Sequence, residues 1–466
     1  MPVLVATLAA LNEVHGQTAA PLADYVGTYT ISPGYQLEII AGRELFAIVD
    51  DAKYLLRRAG SDRFLNAIGD TVLFARDASG RVDGYIERGA KHSRITAQVT
   101  EASAALAWPR GSDTIGATYV YQVPADRGDG IPTGDIRASD LDVATAERLV
   151  NGVLDGTHKD VHGVLLFQRG KLVLEEYFYG YTADRTHQLR SATKSIVGAL
   201  AGIAIDRGVI TGVDAPVTAT LPYTSFANPD QRKATITLGA LLTMRPGLAC
   251  NDEDPKSPGR EVTLYDAPDW VKATLDLPMV ADPGTVAHYC SGSVAVAGRM
   301  IERAAGMTLP EFAQAHLFTP LGIARATWRW NYVLTNADRE FAQIHLRPRD
   351  MLKLGMLYAG GGMWRGARVV SDAWTRASLA EQTRIDGTGY GYLWWRPWLN
   401  VETPSGARRV EFSAAQGNGG QKIYIVPELE LVAVFTGGDY NSGASPPNRI
   451  MAQVILPRLL AARGNR

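Results

Sequence analysis

The chain has 466 residues, with 47 lysines and arginines against 48 aspartates and glutamates and a net charge of −1. That length exceeds what one hydrophobic core usually holds, so a large domain with a smaller companion is expected, and the even mixing of charge removes the electropositive footprint of a nucleic-acid binder. With two cysteines only, Cys250 and Cys290, neither a disulfide framework nor a four-cysteine zinc site can be built; the two thiols pair with each other or stay reduced.

The first segment, residues 1–24, reads as a lead-in. Val3 to Leu11 are apolar, yet no basic residue precedes them and Asn12, Glu13 and His15 follow at once. The stretch is either the remnant of a secretory signal ending near Gln17-Thr18-Ala19-Ala20, which implies a periplasmic or secreted protein, or an amphipathic start to a cytoplasmic one. No other apolar run approaches the about 20 residues that span a bilayer, so no integral membrane segment is expected.

Residues 25–125 change character. Short runs such as Thr28-Tyr29-Thr30, Gln36 to Ile40, Glu44 to Val49 and Thr71 to Phe74 are separated by Gly, Asp and Ser, and Asp77-Ala78-Ser79-Gly80 is a hairpin turn. This spacing predicts a small antiparallel β-barrel-like domain, with no catalytic constellation in it. Residues 126–135, with Gly128, Gly130, Pro132 and Gly134, read as a linker. The second domain is then 136–466.

In that domain Ala144 to Leu154 predicts a helix. Val161 to Gln168 and Lys171 to Tyr177 predict a hairpin through Arg169-Gly170. Ser195 to Ile205 predict a buried helix, and Thr237 to Met244 and Val294 to Ala305 two more. Lys422 to Val426 and Leu429 to Thr436 form a second hairpin through Pro427-Glu428. Strands at both ends with helices between them imply an α/β sandwich with an antiparallel sheet joined by its first and last strands.

The buried helix opens on Ser191-Ala192-Thr193-Lys194. Residues three apart on a helix are neighbours, so a hydroxyl and an amine share one face. An amine forced into an apolar setting loses basicity and can accept the proton of the hydroxyl, which is nucleophile chemistry without a histidine. The alternative is an N-capping Ser191 beside a solvated lysine. The remaining candidates carry less. Eight histidines are scattered with no His-Glu-x-x-His helix, so no metal and no cofactor are implied. His288 reads as packed or solvent-facing, Asn251-Asp252-Glu253-Asp254 as a solvated acidic loop, and Tyr390 to Trp395 as core strand with one tryptophan available to an acyl pocket.

Together with Leu241 to Leu248, Tyr289-Cys290-Ser291 and Gly417-Asn418-Gly419-Gly420-Gln421, the Ser-x-x-Lys run gives residues 136–466 a likeness. The segment resembles the serine β-lactamase and penicillin-binding superfamily, particularly its class C-like esterase and 6-aminohexanoate-dimer hydrolase branch, with an N-terminal lipocalin-like β domain. The resemblance implies that Ser191 is acylated, that Lys194 serves as base or relay, and that Tyr289 delivers a proton to the leaving group. It further implies support from Ser291 and an oxyanion hole built by the backbone of Ser191 with that of Asn418 and Gly419. The Lys-Thr-Gly lysine of the antibiotic-handling members is missing, so small neutral esters or linear amides are the implied substrates. A β-lactamase or D-alanyl-D-alanine carboxypeptidase, and a sensor that is acylated without turnover, are the competing readings.

Overall fold

The computed structural model describes residues 20–464 apart from 33–34, 50–51, 67–68, 111–118, 222, 224, 266, 331–342 and 405. The Val3 to Leu11 segment lies outside these residues. Two compact units divide between Ala107 and Trp108.

In the first unit eight strands follow one another as an antiparallel meander: β1 (Gly27–Ser32), β2 (Tyr35–Ala41), β3 (Leu45–Val49), β4 (Ala52–Arg58), β5 (Arg63–Leu65), β6 (Thr71–Arg76), β7 (Val82–Glu87) and β8 (Ala90–Thr96). Strand β8 pairs back onto β1, with Tyr29 opposite Arg94, and closes a barrel. Closure removes the exposed edges an open sheet would leave. An eight-stranded barrel is just wide enough for side chains to fill its interior. Here they do: Tyr25, Tyr29, Leu37, Phe64, Phe74 and Tyr85 are buried together, with ring centroids 5.1 Å apart for Tyr25–Phe64 and 5.5 Å for Phe64–Phe74.

The second unit holds an eight-stranded antiparallel sheet of β9 (Val161–Gln168), β10 (Lys171–Tyr177), β11 (Thr383–Ile385), β12 (Thr388–Tyr390), β13 (Trp395–Arg396), β14 (Ser413–Gly417), β15 (Gln421–Val426) and β16 (Leu431–Gly437). Its order is β10-β9-β16-β15-β14-β13-β12-β11, so the first and last strands in sequence lie side by side. Arg169 and Gly170 both adopt positive φ, 51° and 80°, the conformation a two-residue hairpin needs. On one face the helix α4 (Pro348–Ala359) brings Gly355 so close that a Cβ would stand 2.6 Å from Val432 and 2.8 Å from Ile423. On the other, Tyr424 donates its hydroxyl to Asn448 of the C-terminal helical segment, whose Arg458 pairs with Asp142, the N-cap of α1 (Val143–Leu154). The helix after the Ser-x-x-Lys serine, α2, runs Thr193–Asp206, and α3 runs Ser291–Ala305.

The segment 126–135 belongs to the second unit and is no linker. Ile131 is buried, Thr133 bridges Leu172, and the Leu172 backbone both donates to Pro132 and accepts from Gly134. Its glycines and prolines mark bends in a strip laid along β10, which local composition cannot distinguish from a free connection.

Candidate active site

The nucleophile segment is held from three sides. Ser191 sits in a single 3-10 turn, Arg190–Ala192, that runs directly into α2. Arg190 takes a positive φ of 51°, a conformation a non-glycine residue adopts only when its surroundings impose it. One restraint is a short strand: the Leu189 N–H donates to Ile344, and the Ile344 N–H to the Thr193 hydroxyl. A second is α2 itself, whose Gly202 leaves room for Trp374; a Cβ there would meet the indole at 2.2 Å, and the indole donates to Gly198 O at 3.1 Å. The third is β14, where Gly417 abuts the Leu189 carbonyl closely enough that a Cβ would stand 2.1 Å from its oxygen. That contact brings the Gly417-Asn418-Gly419 turn against the Ser191 segment.

Lys194 is 1% exposed, and its Nζ donates to Ser191 Oγ at 3.0 Å. The same ammonium lies 4.8 Å from the centroid of the Tyr289 ring, and the Tyr289 hydroxyl is in hydrogen-bond relation with both Ser191 and Lys194. Ser191 and Tyr289 are half-buried, so the trio opens to solvent on the serine side. Trp395 of β13 stacks on Tyr289 at 5.4 Å and is met edge-on by Tyr390 at 4.8 Å, while Trp394 is fully buried.

The charge state of Lys194 runs against the expectation from an apolar helix. Burial, the largest influence, lowers its pKa, but Tyr289, Glu261 and Asp252 outweigh it and hold the amine above its ordinary value. Burial raises the Tyr289 phenol, against the opposing pull of Lys194. At neutral pH the resting pair is therefore an ammonium beside a neutral phenol.

Other expected residues fall as follows. Ser291 is fully buried at the first turn of α3 and gives both its N–H (2.8 Å) and its hydroxyl (2.7 Å) to the Asp252 carboxylate, which commits it to that contact. The Asn418 side chain exchanges hydrogen bonds with Asn441, donating to its Oδ1 and accepting from its N–H at 2.9 Å, so only its backbone is left to act toward Ser191. Gly419, at φ 85°, leaves room for Tyr440, 2.4 Å from where a Cβ would be. His288 is exposed. Arg245 is spent on the Thr243 hydroxyl and on Gly284 O, 3.0 Å each. Lys422, whose pKa burial lowers to about 8, donates to Gln416 at 2.5 Å. His187, just upstream of the serine, is held neutral by burial near pKa 4 and bonds to His162 at 2.9 Å. No cluster of three or more metal-ligating side chains occurs among the described residues.

One feature escaped the sequence, and one alternative it left open is decided. Asp252 is a half-buried carboxylate against α3, while its neighbours Glu253 and Asp254 are solvated as read. Cys250 and Cys290 form a disulfide, Cα atoms 5.5 Å apart, that ties the Asp252 loop to the residue after Tyr289. Each cysteine's place beside a motif was the available signal.

Comparison with known proteins gives the chain its relatives. A 6-aminohexanoate-dimer hydrolase of Paenarthrobacter ureafaciens is 27% identical over 290 residues, spanning 58% of this chain and 70% of that protein. A lovastatin esterase of Penicillium rubens is 31% identical over 196 residues, 38% of this chain and 48% of the relative. Among solved structures, a penicillin-binding protein homologue from Caulobacter crescentus superposes with a TM-score of 0.53 at 16% identity, over 74% of this chain and all of its own (100%). EstCE1, a hydrolase with promiscuous acyltransferase activity, gives 0.51 at 15% identity over 68% of this chain and 98% of its own. Those identities speak for the fold alone. The Beta-lactamase family model matches residues 148–448, taking in the Ser191 turn, α2, the Asp252 loop, Tyr289 and β14 to β16, and the chain belongs to that family.

Proposed function

We propose that the second unit is a serine hydrolase that cleaves small neutral carboxylic esters or linear amides through an acyl-Ser191 intermediate. The observation that carries this reading is the Lys194 Nζ to Ser191 Oγ hydrogen bond of 3.0 Å with the Tyr289 ring 4.8 Å from the same nitrogen. In the reactive state the Lys194–Tyr289 pair has lost one proton. It takes the Ser191 proton as Oγ attacks the carbonyl carbon, and the tetrahedral oxyanion forms. The backbone N–H groups of Ser191 and of the Asn418–Gly419 turn are assigned to that oxyanion. Collapse breaks the bond to the alcohol or amine, which leaves with a proton delivered by Tyr289. Water, deprotonated by the same pair, then releases the acid and regenerates Ser191.

Substrate polarity follows from the strand beside the serine. Strand β14 reads Ser413-Ala414-Ala415-Gln416-Gly417 and supplies no cation. A substrate carboxylate placed there would be desolvated without a partner, costing several kcal/mol, on the order of 2 to 5, that a neutral ester does not incur. The test is a parallel measurement of kcat/KM on a nitrophenyl butyrate, a linear amide and benzylpenicillin. The neutral ester is expected to exceed the penicillin by about 10³-fold, roughly 4 kcal/mol in transition-state binding. Equal efficiencies would return the reading to an antibiotic-handling enzyme.

A further inference from the structure

Tyr289 is positioned by a loop far from it in sequence. The Asp252 N–H donates to the Tyr289 carbonyl at 2.7 Å. The Asp252 carboxylate accepts from Ser291 N and Ser291 Oγ on one oxygen and from the Glu261 N–H, at 2.7 Å, on the other. Burial holds the Asp252 carboxyl above its usual range, and the three donors together with Lys194 pull the other way, toward the ionised form. The disulfide Cys250–Cys290 joins the same two segments two residues away on one side and one residue before Ser291 on the other. Upstream, the His288 N–H donates to Met244 O at 3.0 Å. The backbone of Tyr289 is thus pinned on both sides, with a half-buried carboxylate against it. Cys290, the N-cap of the 15-residue α3, offers no side-chain cap, so Asp252 caps that helix from outside it.

We infer that Asp252 is a positioning residue for the Ser191–Lys194–Tyr289 trio: it fixes the start of α3 and the backbone that aims Tyr289. The inference deepens the function proposed above and rests on it. From the elements packed around Asp252, the titratable and charged groups that bear on it or on its neighbours are Lys194 of α2, Glu261, Tyr265, Tyr289 and Arg190, the last through Tyr265. Lys194 is the cation among them that acts on Asp252 itself. Asp252 raises both Lys194 and Tyr289, so removing its charge lowers both.

The experiment follows the rate of Ser191 labelling by a fluorophosphonate probe, and kcat on a nitrophenyl butyrate, across pH in the full chain. Both rise with pH as the Lys194–Tyr289 pair loses its proton. In Asp252→Asn, which keeps the shape and loses the charge, the high-pH plateau is expected to fall at least about tenfold, with KM within about threefold. The midpoint of the rise is expected to move to lower pH by roughly half a unit or more. A wild-type plateau, or a loss of rate at an unmoved midpoint, overturns the inference; the second pattern is what lost structure alone gives. If Asp252→Asn does not fold, Ser291→Ala beside Ser291→Thr carries the test: the first, which keeps the charge and the backbone bond, should lower the plateau about two- to fivefold at an unmoved midpoint, and the second, which keeps the hydroxyl, should restore it. A wild-type plateau or a shifted midpoint in Ser291→Ala, or no restoration in Ser291→Thr, overturns it. Labelling separates this inference from the substrate assignment: wild-type protein that labels but does not hydrolyse the ester removes the ester reading and leaves the Asp252 test standing.

Discussion

Both units have apolar cores, and they differ in what surrounds the charge each one buries. The barrel interior is aromatic: the Tyr29 hydroxyl donates to Tyr25 O at 2.7 Å, that of Tyr25 to Ser61 O at 2.7 Å, and the one lysine buried among its described residues, Lys53, lies over the Phe46 ring at 4.4 Å. The second unit buries Lys194 and a carboxylate-capped helix start around a half-open serine. Burying apolar rings stabilises at about 25 cal/mol per Å² and asks only for shape. Burying an ammonium is costly unless acidic groups surround it. Lys53 meets an aromatic face, whereas Lys194 meets a hydroxyl and a phenol, and it is that company rather than burial itself that marks a site.

That contrast is broken most directly at Ser191. Ser191→Ala should abolish ester turnover while thermal unfolding stays close to wild type, because the half-buried hydroxyl contributes only about 1 kcal/mol to a helix start. Residual turnover at a wild-type rate would make the serine a helix residue and erase the distinction. Next in size, Lys194→Ala and Tyr289→Phe should each lower kcat by roughly 10²-fold or more, measured at saturating ester. A Tyr289→Phe enzyme within about twofold of wild type would make that tyrosine part of the packing, like those of the barrel.

A pH profile sharpens the same point. Lys194 and Tyr289 are both held above their ordinary values, so the protonated, inactive pair dominates at neutral pH. Activity should therefore climb as pH rises above neutrality, and a plateau already complete below pH 7 would contradict the resting state assigned here. The smallest expected effect on catalysis comes from the barrel. Phe74→Ala removes a ring at the centre of its core and should cost that unit about 3 to 5 kcal/mol, read by its unfolding transition, with kcat on the ester unchanged. A kcat that falls in parallel would give the barrel a share in the chemistry.

Much of this was legible in the chain because it is local. The hairpin across Arg169-Gly170 needs only turn chemistry and alternation, and both strands have the bounds expected, Val161–Gln168 and Lys171–Tyr177. The alanines and glycines of α2 announced a helix packed tightly on all sides. The Ser191–Lys194 contact follows from helical spacing. What the chain concealed is non-local. Asp252 looked like its solvated neighbours because its partner Ser291 lies 39 residues away. The same distance hid the charge of Lys194: an apolar helix foretells burial, but the acidic groups that overcome burial arrive from other segments. The expected support from Ser291 takes a form the chain does not show, since its hydroxyl bonds to Asp252.

The account stands on Ser191 being the activated nucleophile of the second unit. Incubation with a fluorophosphonate followed by peptide mass mapping tests that claim most directly. The predicted result is one adduct per chain, on the peptide carrying Ser191, with ester hydrolysis lost in step with labelling. An adduct on another residue, or full labelling with hydrolysis intact, would contradict it.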